Sequence, residues 1–100
     1  MGTAMLEKQI EAKVCDYAKT RNVLVYKFTS PNRAAVPDRL FITGDGRCFF
    51  IEFKRAGQKP TAAQEREHHR IRSNKVNVFV VDNVENGMMV IDLMVGHADT

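Results

Sequence analysis

Two apolar runs joined by a short glycine-containing link constrain the fold of this chain most strongly. Residues 36–43 read VPDRLFIT, residues 47–55 read RCFFIEFKR, and Gly44-Asp45-Gly46 stands between them. Runs of this kind around such a link are typical of a β-hairpin. The sequence therefore predicts two antiparallel neighbouring strands in the middle of the chain.

The length of the hairpin loop decides which side chains face each other. A three-residue loop, in which a type I turn is closed by a left-handed glycine, pairs Thr43 with Arg47. Asp38 then lies opposite Glu52, with their Cβ atoms roughly 5 Å apart. A two-residue turn would set Asp38 opposite Phe53 instead and would separate the two carboxylates. Both registers are compatible with the sequence.

One face of the second hairpin strand is polar. Since side chains alternate along a strand, Glu52 and Lys54 emerge from the same face. The facing carboxylates of Asp38 and Glu52 would repel each other, and a divalent cation would offset that repulsion. Mg²⁺ is commonly held by one or two carboxylates with water and phosphate, and Lys54 would point at whatever the ion holds. The alternative is a Glu-x-Lys pair on a solvated strand face, since motifs this short occur by chance.

Length and composition indicate one small domain. The chain has 100 residues, 44% hydrophobic and 27% charged, which suffices for one modest core, so we predict a single domain over residues 1–100. A formal net charge of +3 weakly favours a polyanionic partner. Cys15 and Cys48 are isolated, which suits a reducing compartment. Neither a membrane-spanning run nor a glycine-rich phosphate loop is present, so we expect a cytoplasmic protein without a nucleotide cofactor.

Helical and strand patterns flank the hairpin. Apolar residues recur every three or four positions before it, and a capping-box pattern follows it. Runs rich in β-branched and aromatic residues indicate the outer strands. In chain order, the predicted elements are a helix from Ala4 to about Thr20 ended by Asn22, a strand over 23–29, the two hairpin strands, a helix from Thr61 to about Ser73, and a strand over 75–82.

This order, αβββαβ, predicts a mixed four-stranded α/β sheet flanked by helices. A helix between the last two strands favours a parallel crossover there. Asn86-Gly87 predicts a turn after the last strand. The apolar run over residues 88–95 is too short to be assigned as strand or helix from periodicity, so the last element stays open.

An acidic stripe runs along the first predicted helix. Glu7 and Glu11 are one turn apart and share a face. Either side chain can extend from the border of the helix's buried face toward a neighbouring strand. A solvated stripe balanced by Lys8 and Lys13 is an equal alternative.

Four separated motifs occur together in an order found in one nuclease superfamily. They are Glu7 in the first helix, Val36-Pro37-Asp38 after a loop, Glu52-Phe53-Lys54 on the next strand, and Gln64 at the start of the second helix. The set resembles the PD-(D/E)XK nucleases. The stretches LEKQIEAKV, KFTSPNRAAVPDRLF, FFIEFKRAGQKPTAAQ and VFVVD are similar to the VRR-NUC branch, known from viral and repair nucleases. The resemblance reaches about Asp82 and implies a restriction-endonuclease-like core.

The sequence departs from the VRR-NUC pattern at three places. Ala35 and Asn22 stand where that pattern has glycine. The last segment also lacks the charged helix associated with the family. None of these departures changes a side chain that is expected to act in catalysis.

The resemblance implies a metal site for Mg²⁺ or Mn²⁺. Its ligands would be Asp38, Glu52 and the backbone carbonyl of Phe53. Glu7 would reach the ion directly or through water, and Glu11 is the second choice. Such an ion polarises the scissile phosphate and lowers the pKa of a bound water.

The resemblance also implies roles for polar residues around the metal. Lys54 would orient the attacking water and stabilise charge on the phosphate. Gln64 would position Lys54, water or phosphate, unless it serves only as a helix cap. Basic residues near the motifs would contact DNA phosphates without reading bases, although any of them is alternatively a solvated surface charge. They are Arg33, Arg39, Arg55, Lys59, Arg66 and Arg70.

The function implied by the resemblance is a metal-dependent DNA endonuclease that hydrolyses phosphodiester bonds. Standalone members of the branch resemble Holliday junction resolvases, which suggests branched DNA as the substrate and a bacterial host cell as the setting. Cutting two strands symmetrically needs two active sites, so we expect a homodimer. Two alternatives stay open, a flap or replication-fork nuclease within a larger complex and a non-catalytic nucleic-acid-binding module.

Overall fold

A mixed four-stranded sheet with helices on both faces organises the computed structural model, which describes residues 5–96. The strands lie side by side in the order β1-β2-β3-β4. This architecture confirms the predicted α/β fold, with a third helix after the last strand. In chain order the elements are α1 (Glu7–Thr20), β1 (Leu24–Lys27), β2 (Arg39–Ile42), β3 (Cys48–Phe53), α2 (Ala62–Ser73), β4 (Asn77–Val81) and α3 (Val84–Gly96).

The hairpin of β2 and β3 has the register of the three-residue loop. Arg39 pairs with Ile51, and the backbone N–H of Thr43 donates to the Arg47 carbonyl at 2.8 Å. Gly46 has a φ of +89°, the left-handed conformation that ends such a loop. The two-residue turn is therefore wrong. When this register is continued by one residue beyond the pair of Arg39 and Ile51, Asp38 lies opposite Glu52.

The connection from β3 to β4 is a parallel crossover through α2, as predicted. Glu52 pairs with Val80 and Phe53 pairs with Val81 in this parallel ladder. Helix α2 begins after Thr61, whose side chain accepts a hydrogen bond from the backbone N–H of Gln64. The predicted capping box is confirmed, and it fixes where Gln64 stands relative to β3.

Helix α1 supplies one side of the hydrophobic core. Its buried stripe includes Ile10 and Val14, which pack with Phe49 and Ile51 of the sheet. The predicted start at Ala4 lies outside the described residues, and the helix begins at Glu7. Its end is as predicted. Asn22 follows with a φ of +61°, a conformation that asparagine tolerates better than most residues.

The segment after β4 is helical, so the turn predicted at Asn86-Gly87 is wrong. Both residues lie inside α3, which begins after Asn83, and the side chain of Asn83 accepts the backbone N–H of Asn86 at 2.8 Å. Gly87 serves packing, since a Cβ there would overlap Cγ2 of Val14 on α1. Gly87 therefore allows α1 and α3 to approach closely. No helix within residues 5–96 is long and apolar enough to cross a membrane.

Candidate active site

Asp38 and Glu52 meet at the open end of the hairpin, where β2 begins and β3 ends. One oxygen of Asp38, Oδ2, accepts the backbone N–H of Phe53 at 2.7 Å. Burial and the Asp38 carboxylate raise the pKa of Glu52 to about 7. Burial also raises the pKa of Asp38, although the Phe53 hydrogen bond opposes that shift. The site thus holds two carboxyl groups that resist being ionised together.

Glu52 lies deep in the protein and is held on one side only. It is 2% exposed. Its Oε2 accepts a hydrogen bond from Nε2 of Gln64 at 3.0 Å and lies 3.8 Å from Nζ of Lys54. Its Oε1 is buried and makes no hydrogen bond within residues 5–96. The same carboxylate therefore offers one bound oxygen and one unpaired oxygen.

Gln64 closes the helix cap, one of the two predicted alternatives, and also contacts a carboxylate that the sequence did not indicate. Its Oε1 accepts the backbone N–H of Thr61 at 2.9 Å, which closes the capping box. Its Nε2 donates to Glu52. The structure places Gln64 against the carboxylate of Glu52 rather than against Lys54, so the cap of α2 and the orientation of Glu52 are linked through one side chain.

The two glutamates of α1 are in different surroundings. Burial and the nearby Asp38 carboxylate raise the pKa of Glu7, and Lys54 opposes that shift. Glu11 instead accepts a hydrogen bond from Nε of Arg39 at 2.6 Å. Both line a cleft of about 490 Å³ that also includes Asp38. Glu7 is therefore the better placed of the two to serve the site, because Glu11 is already paired.

The donors at this site fit a hard cation. Within residues 5–96, no three His, Cys, Asp or Glu side chains form a metal-binding group by themselves. Asp38 and Glu52 provide two carboxylates, and one buried oxygen of Glu52 lacks a partner. The Phe53 carbonyl points toward Asp38, since the N–H and C=O of a strand residue point to the same side. Two carboxylates, a carbonyl and water suit Mg²⁺ or Mn²⁺.

The predicted DNA-contacting cations fall into two groups. Arg33 and Arg70 both contact Oε1 of the buried Glu67, at 3.0 and 3.6 Å, and Arg39 is paired with Glu11. The remaining cations are exposed. These are Arg55 and Lys59 in the loop after β3 and Arg66 on α2.

The loop that carries Arg55 and Lys59 is tied to the end of β4. The backbone N–H of Gly57 donates to Oδ2 of Asp82 at 3.0 Å. Because β4 runs parallel to β3, this bond holds the loop at the carboxyl end of both strands.

Two buried polar residues of α2 were not predicted as functional residues from the sequence. Glu67 is buried and joins Arg33 to α2, and His68 is 1% exposed with its Nε2 3.8 Å from Oε1 of Glu52. A signal for His68 existed. It lies four residues after Gln64, and residues at that spacing share a helix face. The adjacent His69 is exposed and points away.

Ala35 has the unfavourable backbone that its position in the sequence suggested. Its φ is +67°, a left-handed conformation that costs a residue with a Cβ roughly 1–2 kcal/mol. Glycine, expected there from the VRR-NUC pattern, would adopt it freely. Ala35 lies two positions before Pro37. Despite its backbone conformation, Asp38 accepts the hydrogen bond from the Phe53 N–H.

Comparisons with known proteins identify relatives of this chain and solved structures with a similar fold. No family model matches the chain. The protein named "Putative nuclease p44", from Acyrthosiphon pisum secondary endosymbiont phage 1, is 39% identical over 77 residues, which cover 77% of this chain and 83% of that protein. A solved structure described as a VRR_NUC domain is 31% identical with a TM-score of 0.80 and covers 86% of this chain and 94% of its own. A second, described as a VRR_NUC domain protein, shares the fold at 16% identity, with a TM-score of 0.72 over 90% of this chain and 88% of its own.

Proposed function

Because this chain belongs to the VRR-NUC nucleases, we propose that it is a metal-dependent endonuclease that hydrolyses phosphodiester bonds in branched DNA, in the manner of a Holliday junction resolvase. The observation that carries the proposal is the pairing of the buried Glu52 with the partly buried Asp38 beside Lys54. Two ionised carboxylates in one place repel each other, and a bound cation would offset that repulsion. Their position at the end of β3 is the one that the family resemblance assigns to catalysis.

The metal-binding residues in this proposal are Asp38, Glu52 and the Phe53 carbonyl, with Glu7 reaching in from α1. When bound, Mg²⁺ or Mn²⁺ would polarise the phosphate and lower the pKa of a water. Asp38 is prepared for this role because the Phe53 N–H fixes one oxygen and leaves the other for a ligand. Burial of Glu52 excludes bulk water, which strengthens its attraction for a cation.

Lys54 and Gln64 act on either side of Glu52. The side chain of Lys54 is only partly exposed, and its Nζ lies 3.8 Å from Oε2 of Glu52, which supports a role beside a metal ion held by Glu52. There it would orient the attacking water and stabilise charge that develops on the phosphate oxygens. Gln64 keeps Glu52 in place through its hydrogen bond. The two side chains thus have separate tasks, one toward substrate and one toward the ligand.

A non-catalytic binding module is less well supported. Phosphate groups are repelled by carboxylates, so a surface that only binds DNA gains nothing from Asp38, Glu52 and Glu7 in one place. In this proposal, the exposed cations Arg55, Lys59 and Arg66 would contact DNA next to that acidic centre. Their contacts would be with the backbone, and affinity would fall as salt rises. Branched DNA would then be recognised by its shape rather than its sequence.

A homodimer is part of the proposal because two strands have to be cut. A two-fold axis would present two equivalent active sites to a four-way junction. Exposed apolar side chains on the β4 edge and on α3 are compatible with self-association; they are Val80, Met89 and Leu93. Light scattering after size exclusion at micromolar concentration tests this, and a monomer alone would count against it. With a phage relative, the expected setting is the cytoplasm of a bacterial host.

A cleavage assay tests the proposal. Labelled four-way junction, flap and plain duplex DNA are incubated with the protein in Mg²⁺ or Mn²⁺, together with Lys54→Ala and Asp38→Asn. Matched controls on the exposed side of α1 are Lys13→Ala and Asp16→Asn. We expect cleavage by the wild type and both controls, and none by the two site variants.

The pattern of products separates the alternatives. Paired symmetric cuts confined to the junction support a resolvase. Preferential cutting of the flap favours the fork nuclease instead. Tight DNA binding without cleavage in either metal would contradict the catalytic proposal and would favour the binding module.

A further inference from the structure

His68 lies directly behind Glu52 and faces its unpaired oxygen. It belongs to α2, is 1% exposed, and its Nε2 is 3.8 Å from Oε1 of Glu52. Both atoms are buried, and neither makes a hydrogen bond within the described part of the chain. Two unsatisfied polar atoms thus face each other in the protein interior.

Such a pair is costly unless the two atoms are each other's partners. A buried polar group without a hydrogen bond destabilises the fold, because it has lost its contacts with water. Almost no surface of either atom is accessible to solvent, so bulk water does not satisfy them. An N–H···O hydrogen bond has a length of about 2.9 Å, so a movement of roughly 1 Å would close the gap.

We propose that His68 is a positioning residue for Glu52, which it holds through an Nε2–H···Oε1 hydrogen bond while Gln64 holds the other oxygen. Gln64 and His68 stand one turn apart on α2, so a single helix face would fix both oxygens of one carboxylate. Each carboxylate oxygen accepts more than one bond, so a lone pair remains on each for a cation or its water. This inference rests on the proposed function in so far as Glu52 is a metal ligand.

The proposed contact requires one tautomer of His68. An ionised carboxylate oxygen accepts but does not donate, so a bond to Oε1 of Glu52 needs a proton on Nε2. A histidine that merely filled space would need no such proton, and an apolar ring of similar size would replace it.

The test compares His68→Gln with His68→Phe, and uses the exposed neighbour His69 with the same substitutions as a control. Glutamine can place its amide nitrogen near the position of Nε2, whereas phenylalanine keeps the ring and removes the donor. Removing such a supporting hydrogen bond typically weakens metal affinity 10- to 100-fold. We therefore expect calorimetry to show weaker Mn²⁺ binding by about that factor in His68→Phe, largely restored in His68→Gln, with both His69 variants unchanged.

A second readout needs neither metal nor DNA. The ¹⁵N chemical shifts of the imidazole in the metal-free wild type report which nitrogen is protonated, and we expect Nε2–H for His68. An Nδ1–H tautomer would overturn the inference, as would wild-type Mn²⁺ affinity in a folded His68→Phe. Because the shifts are read on the wild type, the test holds even if His68→Phe does not fold.

The two proposals fail in different ways. A protein that cuts no DNA but shows Nε2–H and the rescue by glutamine would retain the role of His68 and lose the proposed nuclease function. A protein that cuts junctions but carries the His68 proton on Nδ1 would retain the proposed nuclease function and lose the proposed role of His68.

Discussion

Replacing Glu52 with glutamine is expected to stabilise the metal-free protein while abolishing its activity. The neutral amide has nearly the same shape as the carboxyl group. Its oxygen can still accept the hydrogen bond from Gln64, whereas the ionised wild-type carboxylate is buried beside Asp38. The substitution therefore removes an unfavourable buried charge and its repulsion from a second one.

The expected gain follows from the pKa of Glu52. Burial and Asp38 raise it from 4.5 to about 7. Between these two values the folded state binds more protons than the unfolded state, so the free energy of unfolding of the wild type falls as pH rises. Each pKa unit corresponds to about 1.4 kcal/mol, so the difference approaches about 3 kcal/mol at pH 8. At pH 4 both states are mostly protonated and the difference is close to zero.

Thermal unfolding in EDTA from pH 4 to pH 8 measures this difference. For a domain of this size about 3 kcal/mol corresponds to an increase in melting temperature on the order of 10 °C or more. Asp16→Asn is a suitable control, since Asp16 is exposed on α1. Mg²⁺ should reduce the difference in melting temperature between Glu52→Gln and the wild type, because it stabilises the wild type, which binds it.

Two results would refute this reasoning. One is a Glu52→Gln variant no more stable than the wild type at pH 8 in the absence of metal. The other is a difference in stability that is the same at pH 4 and pH 8, because a packing effect would not follow the titration of Glu52. Either result would mean that the carboxylate pair is not strained in the metal-free fold.

Three further predictions concern the backbone, the packing of the helices and DNA binding. Ala35→Gly should raise the free energy of unfolding by about 1 kcal/mol in urea titrations, because its φ of +67° favours glycine; an unchanged midpoint would contradict this. Gly87→Ala should lower it by about 1–2 kcal/mol, because crowding against Val14 outweighs the helix propensity of alanine; a more stable variant would show that α1 and α3 can move apart. Arg55→Ala should reduce the slope of log affinity against log salt by about 1, as expected for one lost phosphate contact; an unchanged slope would exclude Arg55 from the interface.

Local signals in the sequence were sufficient for the hairpin, the capping box and the parallel crossover. Each depends on residues close together in the chain, such as the glycine at position 46 or the pair Thr61 and Gln64. The sequence left two loop lengths open, and the structure selected the register that brings Asp38 to Glu52. The amino-acid sequence is therefore enough to name the candidate carboxylates but not to decide that they face each other.

The turn predicted at Asn86-Gly87 shows where local signals were insufficient. Asparagine followed by glycine is a turn pattern in isolation. In the fold, Gly87 lies where α3 crosses Val14, a residue more than seventy positions earlier in the chain. Only the tertiary contact explains why a residue without a side chain is needed inside a helix.

The sequence by itself determined the order of the elements up to β4 and named Asp38 and Glu52 as candidates, because alternation and capping act over a few residues. It left two hairpin registers open, and the structure selected one of them. Only the tertiary structure decided how those groups are surrounded. It paired Glu11 with Arg39, joined Gln64 to Glu52 and set His68 behind the same carboxylate. Burial and charge at a site depend on elements that meet from distant parts of the chain, so the pKa of Glu52 is a property of the fold.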